Sequence, residues 1–160
     1  MEQSLSNIYT PLKWIIDTFN NQLINYQLVG GVAANVYGSK RKINDIDFYI
    51  DFSKLERLLP DIKNYLTWGP AHFEDENWNI SFLKLVYHNQ KIEIGDINNC
   101  FIYSKKVGYW IKQNIDLNSF NRIKINDLIV KVMKKEKLIE YKSILERKVD
   151  LEDIKQLLEK

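Results

Sequence analysis

A pair of adjacent glycines, Gly30 and Gly31, constrains the fold of this chain more than any other sequence feature. The pair follows a short apolar run, residues 26–29, which predicts a buried strand that ends in a tight turn. Residues 32–37 then predict a short helix that ends near Gly38. Because glycine has no Cβ atom, such a turn lets a large anion approach backbone N–H groups at the positive end of the helix. The turn is therefore a candidate polyphosphate site.

A second feature is the triplet Asp45-Ile46-Asp47, which opens a run of alternating acidic and apolar residues that is typical of a strand. Residues i and i+2 of a strand point to the same face, so the two carboxylates are expected to project side by side. Two carboxylates about 6–7 Å apart along one strand repel each other. A hard divalent cation such as Mg²⁺ makes the pair favourable, because it prefers carboxylate oxygens and substrate phosphates.

A third carboxylate would complete a site for two metal ions, and a later part of the chain offers two candidates. Residues 80–87 and 91–97 predict two strands joined by a tight turn. Glu93 lies on the strand face opposite to the isoleucines that flank it, in a strand that could pair near the strand of Asp45. Asp96 has the other parity and is the second candidate.

Composition excludes several kinds of chemistry. With one cysteine, Cys100, and two histidines among 160 residues, the chain can form neither an intramolecular disulfide nor a Cys-rich or three-histidine zinc site. A formal net charge of +2 argues against broad electrostatic binding of nucleic acid. The N-terminal residues lack the layout of a signal peptide, and no apolar run approaches the roughly 20 residues that span a bilayer. We therefore expect a cytoplasmic protein with no membrane partner.

The rest of the sequence predicts one domain over residues 1–160, with a core of about 1–120 and a C-terminal helical lobe of about 121–160. Apolar periodicity and capping residues set the remaining predictions. These are helices over 12–23, from Ser53 to about 66, from Asn126 onward and over 151–158, with an exposed loop over 67–79. A break between the last two helices is predicted at Arg147-Lys148.

The order of these features resembles that of the polymerase-β-type nucleotidyltransferase superfamily, whose pattern is a glycine pair, a strand with paired aspartates and a third acid on a later strand. The chain is most similar to the small bacterial branch that contains abortive-infection-type toxin and antibiotic nucleotidyltransferases. The motifs that carry this resemblance are Gly30-Gly31-Val-Ala33, Gly38-Ser-Lys-Arg41, Asn44-Asp45-Ile46-Asp47, Asn126-Asp-Leu-Ile-Val-Lys131 and Lys148-Val-Asp-Leu-Glu-Asp-Ile154. The chain departs from the pattern at Ile43, where this branch often has threonine.

The resemblance implies an α/β (α+β) fold, in which a polymerase-β-like nucleotidyltransferase core with a small mixed sheet is closed on one side by C-terminal helices. It also implies that Asp45 and Asp47 are catalytic and hold Mg²⁺ or Mn²⁺, and that Glu93 completes the metal site and accepts a proton. The nucleotide-binding residues that it implies are Gly30, Gly31, Ser39, Arg41 and Lys131.

The implied activity is metal-dependent transfer of a nucleoside monophosphate from a nucleoside triphosphate such as ATP to a hydroxyl acceptor. The acceptor is an RNA end such as that of tRNA, a protein or a small molecule, and a toxin of this branch would also have an antitoxin protein as a partner. The alternative hypothesis is a non-catalytic nucleotidyltransferase-fold module that binds a protein or RNA partner. The presence of all three acids favours the enzyme.

Overall fold

One eight-stranded sheet organises residues 3–159, the part of the chain that the computed structural model describes. Its strands are β1 (Tyr26–Val29), β2 (Asp45–Ile50), β3 (Leu66–Glu74), β4 (Trp78–Tyr87), β5 (Gln90–Ser104), β6 (Tyr109–Lys112), β7 (Phe120–Ile125) and β8 (Leu128–Met133). The helices are α1 (Gln3–Asn21), α2 (Gly30–Val36), α3 (Leu55–Ile62), α4 (Lys135–Leu145) and α5 (Lys148–Leu158), and 3-10 turns at Phe52–Lys54 and Lys63–Tyr65 flank α3.

The sheet is mixed. Its strand order is β3-β4-β5-β2-β1-β8-β7, and β6 pairs with β5 outside this path. The pairs β2–β5 and β1–β8 are parallel, whereas the other pairs are antiparallel. A mixed sheet with C-terminal helices confirms the predicted fold class, and it places β2, which carries the paired aspartates, in the middle of the sheet.

The core holds β2 in place through helix α1. The apolar stripe predicted for this helix is fully buried and consists of Leu12, Ile15, Ile16 and Phe19. The ring of Phe19 packs against those of Tyr26 on β1 and Phe48 on β2, with ring centroids 5.2 Å apart in each case. Burial of aromatic rings in edge-to-face and stacked contacts stabilises such a cluster. The strand that carries the acids is therefore anchored through the residues on its other face.

Most of the predicted helices and strands are present, but their first and last residues differ from the predicted ones. Helix α1 begins at Gln3, well before the predicted start, and α3 is shorter than predicted because 3-10 turns flank it on both sides. The predicted break at Arg147 is confirmed: Glu146 has a left-handed φ of 52° and separates α4 from α5. No helix within residues 3–159 combines the length and the apolar content that crossing a membrane requires.

The predicted helix from Asn126 onward is wrong, because residues 120–133 form the β7–β8 hairpin. The predicted helical stripe consists of Leu128, Ile129, Val132 and Met133, but Ile129 is exposed, whereas Leu128, Val130 and Val132 are buried at every second position, as in a strand. The choice is made by tertiary pairing, since β8 lies parallel to β1 with Leu28 beside Val132. The helices that we expect from about residue 121 therefore begin only at Lys135.

The predicted loop over residues 67–79 is also wrong, because most of it is the edge strand β3. Nearly all its side chains are exposed or half-exposed, so the sequence lacks the apolar alternation of a half-buried strand. Pro70 fits this position because its missing N–H costs little on an edge strand, and the pairing with β4 shifts register on either side of Trp68. The correction matters for the site, since β3 contributes one wall of it.

Cys100 on β5 provides a test of this fold. Its side chain is completely buried, and its Sγ lies 3.5 Å from Oη of Tyr49. Burial raises the pKa of the thiol to about 11. We expect Cys100 of the native protein to react with a chromogenic disulfide reagent at pH 8 at least about a hundredfold more slowly than in guanidinium, because little thiolate forms. Fast reaction without denaturant would contradict the packing of β5.

Candidate active site

Three carboxylates converge where β2 and β5 lie side by side. In the parallel register of these strands, Asp47 lies beside Glu93 and Asp45 lies beside Lys91. The isoleucines that flank Glu93 point to the opposite face and are fully buried. Asp45, Asp47 and Glu93 all line one cavity of about 420 Å³. The structure therefore brings together the three acids that the sequence analysis selects.

Asp96, the other candidate for the third acid, lies outside this group. Its side chain is only 9% exposed and accepts hydrogen bonds from the backbone N–H groups of Phe52 and Asn98, at 3.2 and 3.1 Å. These bonds tie β5 to the 3-10 turn before α3, which is a structural role. Of the two candidates, Glu93 is thus the one beside the paired aspartates.

Burial and repulsion from neighbouring carboxylates disfavour the charged forms of Asp47 and Glu93. Burial, together with the charges of Glu93 and Asp45, raises the pKa of Asp47 well above its ordinary value, although Lys142 and Arg147 oppose the shift. Burial and Asp45 likewise raise the pKa of Glu93. The part of each shift that comes from repulsion between neighbouring carboxylates is the part that a bound cation would relieve.

The donor set suits a hard cation, because carboxylate oxygens are the ligands that Mg²⁺ and Mn²⁺ prefer. Within residues 3–159, however, no three His, Cys, Asp or Glu side chains are already arranged to hold a metal ion. A cation bound by Asp45, Asp47 and Glu93 would therefore require these side chains to turn towards a common point. Their chemistry and their surplus charge fit the ion, and their present rotamers do not yet form its ligand cage.

The glycine turn adjoins the acids directly. Gly30 has a φ of +68°, and a Cβ atom built on it would overlap Oδ2 of Asp47. A Cβ atom on Gly31 would lie 3.0 Å from Nη2 of Arg41. The N–H of Gly30 donates a hydrogen bond of 2.9 Å to Oη of Tyr141, so this amide already has a partner. The two glycines line the cavity and bring backbone close to both the acids and Arg41.

Ser39 and Arg41, two of the predicted nucleotide-binding residues, both bind Asp153 of α5. Ser39 is buried, and its Oγ donates a hydrogen bond of 2.8 Å to Oδ1 of Asp153. Arg41 donates from Nε to Oδ1 at 3.0 Å and from Nη2 to Oδ2 at 2.8 Å, which is a bidentate pair. Arg41 lines the cavity, whereas the hydroxyl of Ser39 is engaged with Asp153.

Lys131, the remaining predicted nucleotide-binding residue, lies on β8, two strands away from β2. Its Nζ donates a hydrogen bond of 3.0 Å to Oδ1 of Asn25. The same ammonium lies over the rings of Tyr26 and Phe120, 5.6 and 5.5 Å from their centroids. Burial, with a smaller contribution from Arg122, lowers the pKa of Lys131. The structure thus does not bring Lys131 to the three acids.

Lys142 on α4 and Arg147 just before α5 also line the cavity, and the sequence analysis misses both. The side chain of Lys142 is only 2% exposed, and its Nζ lies 3.0 Å from Asp153 and 3.4 Å from Asp150. Arg147 forms a bidentate pair with Asp150, with distances of 2.7 and 3.1 Å. The sequence does contain a signal for Lys142. It shares helical spacing with Leu138, Tyr141 and Leu145, which are buried, and a lysine within an apolar stripe indicates a buried charge.

These residues form one buried ionic cluster, which consists of Arg41, Lys142, Arg147, Asp150 and Asp153. Both aspartate side chains are completely buried. Burial alone would lower the pKa of Lys142, but Tyr141 and the two aspartates raise it above its ordinary value. Burial would raise the pKa of Asp153, yet its hydrogen bonds and neighbouring cations lower it. Lys142 and Asp153 therefore keep their charges at neutral pH.

Aromatic side chains of the β3–β4 hairpin form a further wall of the cavity. Phe73, Trp78 and Phe82 line it together with Lys84, whose Nζ lies 5.6 Å from the centroid of the Phe82 ring. The rings of Phe73 and Phe82 pack edge to face at 5.5 Å. The cavity thus combines carboxylates, cations and an aromatic surface, which is the mixture expected of a site for a small organic ligand with a polyphosphate.

Solved structures of other proteins resemble this chain in fold. No family model matches the chain, and no curated protein matches its sequence. A provisionally assigned nucleotidyltransferase from Thermotoga maritima superposes with a TM-score of 0.75 at 18% identity, covering 99% of this chain and 96% of that one. The lincosamide antibiotic adenylyltransferase LnuA, solved with lincomycin bound, gives a TM-score of 0.60 at 19% identity, with 92% and 94% covered.

A third solved structure, ANT(2″)-Ia in complex with adenylyl-2″-tobramycin, gives a TM-score of 0.58 at 13% identity and covers 94% of this chain and 87% of that one. At these low identities the likeness establishes the fold. Each of the three structures covers at least 92% of this chain. This chain has the nucleotidyltransferase fold that its sequence resemblance predicts, and it shares that fold with antibiotic adenylyltransferases.

Proposed function

We propose that this protein transfers a nucleoside monophosphate from a nucleoside triphosphate to a hydroxyl group of an acceptor, with Mg²⁺ or Mn²⁺ as the metal. The observation that carries the proposal is the β2–β5 register, in which Asp47 lies beside Glu93 in a cavity that also contains cations. The fold supports it, because LnuA is an adenylyltransferase and ANT(2″)-Ia was solved with an adenylylated antibiotic.

The reaction would take place at the α-phosphorus, where a bond to the acceptor oxygen forms and the bond to the departing pyrophosphate breaks. Asp45, Asp47 and Glu93 would hold the metal. When bound, the metal neutralises charge on the phosphates and lowers the pKa of the attacking hydroxyl. Glu93 accepts the proton of that hydroxyl, directly or through a water molecule. No histidine or thiol is needed, in agreement with the composition of the chain.

The cations bind the phosphates. Arg41, Lys142 and Arg147 line the cavity with the acids, and they balance the charge that develops on the departing pyrophosphate. The turn at Gly30 keeps backbone close to Asp47, so the phosphates can lie between the acids and the cations. In this proposal Ser39 acts through Asp153 rather than by touching the nucleotide, and Lys131 has no direct part.

The acceptor is proposed to be a small molecule with an apolar or planar face. The aromatic side chains of Phe73, Trp78 and Phe82 offer a surface for such a face beside Glu93. An assay with labelled nucleotide and lysate tests this choice, because label in small molecules supports it. Label in RNA would instead favour a toxin, with an antitoxin protein as its partner, and label in protein would favour a third acceptor class.

The metal site is tested by the variants Asp45→Asn and Asp47→Asn, assayed with Mg²⁺ or Mn²⁺ and each labelled nucleoside triphosphate. Each variant should lose at least about a hundredfold in transfer, since metal stabilisation of transition-state charge is worth several kcal/mol. Asp51→Asn is the matched control. Asp51 is an acid next to the end of the same strand whose Oδ1 accepts a hydrogen bond from the N–H of Ser53, and this variant should retain activity.

Variants at Asp45 or Asp47 that transfer label as well as the wild type would show that the metal assignment is wrong. A wild-type protein that binds no nucleotide in the presence of a divalent metal, measured by calorimetry, would favour the non-catalytic binding module instead.

The raised pKa of Asp47 makes a separate prediction about stability in the absence of metal. Because the folded state binds its proton more tightly than the unfolded state, the free energy of unfolding should fall as pH rises above the ordinary value of 3.8. Asp47→Asn has no such proton to lose, so its stability relative to the wild type should increase with pH. Urea denaturation in EDTA at several pH values measures the difference.

Addition of Mg²⁺ should reduce this difference near neutral pH, because the metal stabilises the ionised wild type and has a weaker site in the variant. A difference that stays constant with pH would contradict the assigned environment of Asp47.

A further inference from the structure

Two aspartates of α5, Asp150 and Asp153, face the cations of the cavity, and both side chains are completely buried. We propose that they are positioning residues, which hold Arg41, Lys142 and Arg147 in the arrangement that binds the polyphosphate end of the substrate. The inference rests on the proposed function, because a nucleoside triphosphate supplies that polyphosphate. It assigns to the C-terminal helix a role in substrate binding although its two acids do not touch the substrate.

The two arginines are held in the same way. Asp153 binds Nε and Nη2 of Arg41, and Asp150 binds the same two atoms of Arg147. A guanidinium group is planar, so two hydrogen bonds to one carboxylate fix its orientation as well as its position. Each arginine therefore presents its remaining N–H groups in a set direction at the cavity wall.

Lys142 is held by both acids. Its ammonium lies between Asp150 and Asp153, at 3.4 and 3.0 Å, and its side chain is almost inaccessible to solvent. A lysine side chain is flexible when it is exposed, and its charge is costly to bury without partners. The two carboxylates remove both difficulties, since they compensate the charge and restrict the ammonium to one place on the cavity wall.

The charge balance of the cluster indicates the class of ligand. Three cations share two carboxylates, so one positive charge remains in surplus where the cluster borders the cavity. Surplus positive charge at the edge of a cavity favours a ligand of opposite charge. Asp47 contributes a favourable interaction with Lys142 and Arg147, but the proposed metal engages that acid during the reaction. A chain of phosphates is the ligand that matches several fixed cations in a row.

The same helix is also joined to the loop after α2. Ser39 donates to Asp153, and the backbone N–H of Lys40 donates to Oε1 of Gln156. Arg41 follows directly in this loop, so the contacts with α5 position the loop and the guanidinium together. Packing of α5 against this loop thus brings Arg41 to the same side of the cavity as Lys142 and Arg147.

A purely electrostatic role for the aspartates makes the opposite prediction. Neutralising a carboxylate beside the cations makes the cavity more positive, and on charge alone an anion should then bind more tightly. If the aspartates act by positioning, the same change releases the guanidinium or ammonium groups and weakens binding. The direction of the change in affinity therefore distinguishes the two roles.

The experiment measures binding of inorganic tripolyphosphate, in the presence of Mg²⁺, to the full-length protein by titration calorimetry. Asp153→Asn and Asp150→Asn should each raise the Kd at least about tenfold, since each loses charge-assisted hydrogen bonds that fix a cation. Glu152→Gln is the matched control on the same helix. Glu152 is exposed and acts on Arg41 only through its charge, so this variant should bind equally well or more tightly.

Circular dichroism and thermal melting establish that each variant is folded. If the asparagine variants do not fold, Asp153→Glu takes their place, because it keeps the negative charge and the longer side chain displaces the carboxylate from its bidentate pair with Arg41. Weakened tripolyphosphate binding by Asp153→Glu supports positioning, and unchanged binding overturns it. Tight binding of tripolyphosphate by folded Asp153→Asn and Asp150→Asn, or no binding by the wild type, would equally overturn the inference.

Kinetics separate this inference from the proposed function. In the transfer assay the aspartate variants should raise the KM for the nucleoside triphosphate more than they lower kcat, because they weaken binding of its phosphates. Wild-type protein that binds tripolyphosphate but transfers no label would refute the proposed function. It would leave the inference that the three cations bind phosphates unaffected. Active wild-type protein with unaltered KM in the folded variants would refute the positioning role alone.

Discussion

The parallel pairing of β2 with β5 is the constraint on which the candidate site depends. Its register is set by apolar burial, since Ile46, Ile92 and Ile94 are completely buried on one face of the two strands. A slip of one residue would turn Glu93 into the core and an isoleucine into the cavity. The free energy of burying aliphatic side chains therefore fixes the positions of carboxylates that repel one another, and the protein tolerates this repulsion only because the core determines the register.

The acids and the cations of the cavity come from separate layers of the molecule. The sheet supplies the carboxylates. Arg41 comes from the loop after α2, Lys142 from α4, and Arg147 from the residue just before α5. The carboxylates of the sheet repel one another, and in the ionic cluster three cations share two carboxylates. In the proposed function, a metal-bound polyphosphate would compensate both.

The proposed phosphate site differs from the expectation based on the glycine pair. The sequence predicts a backbone cradle, but the N–H of Gly30 is bonded to Tyr141. The glycines instead allow close approach, which brings backbone against Asp47 and leaves room for Arg41. In the proposed site, the cationic side chains that aspartates of the C-terminal helix bind take the role expected of backbone amides.

The sequence by itself determined the local elements of the site: the glycine turn, the paired aspartates on one strand face and the opposite parity of Glu93 and its isoleucines. These follow from backbone geometry within a few residues. It could not decide between helix and strand over 128–133, because Leu128 and Val132 fit both the helical and the strand period. Pairing of β8 with β1 makes the choice. It also could not reveal that Arg41 binds Asp153, since residues 112 positions apart meet only through the packing of α5, and periodicity carries no information about that contact.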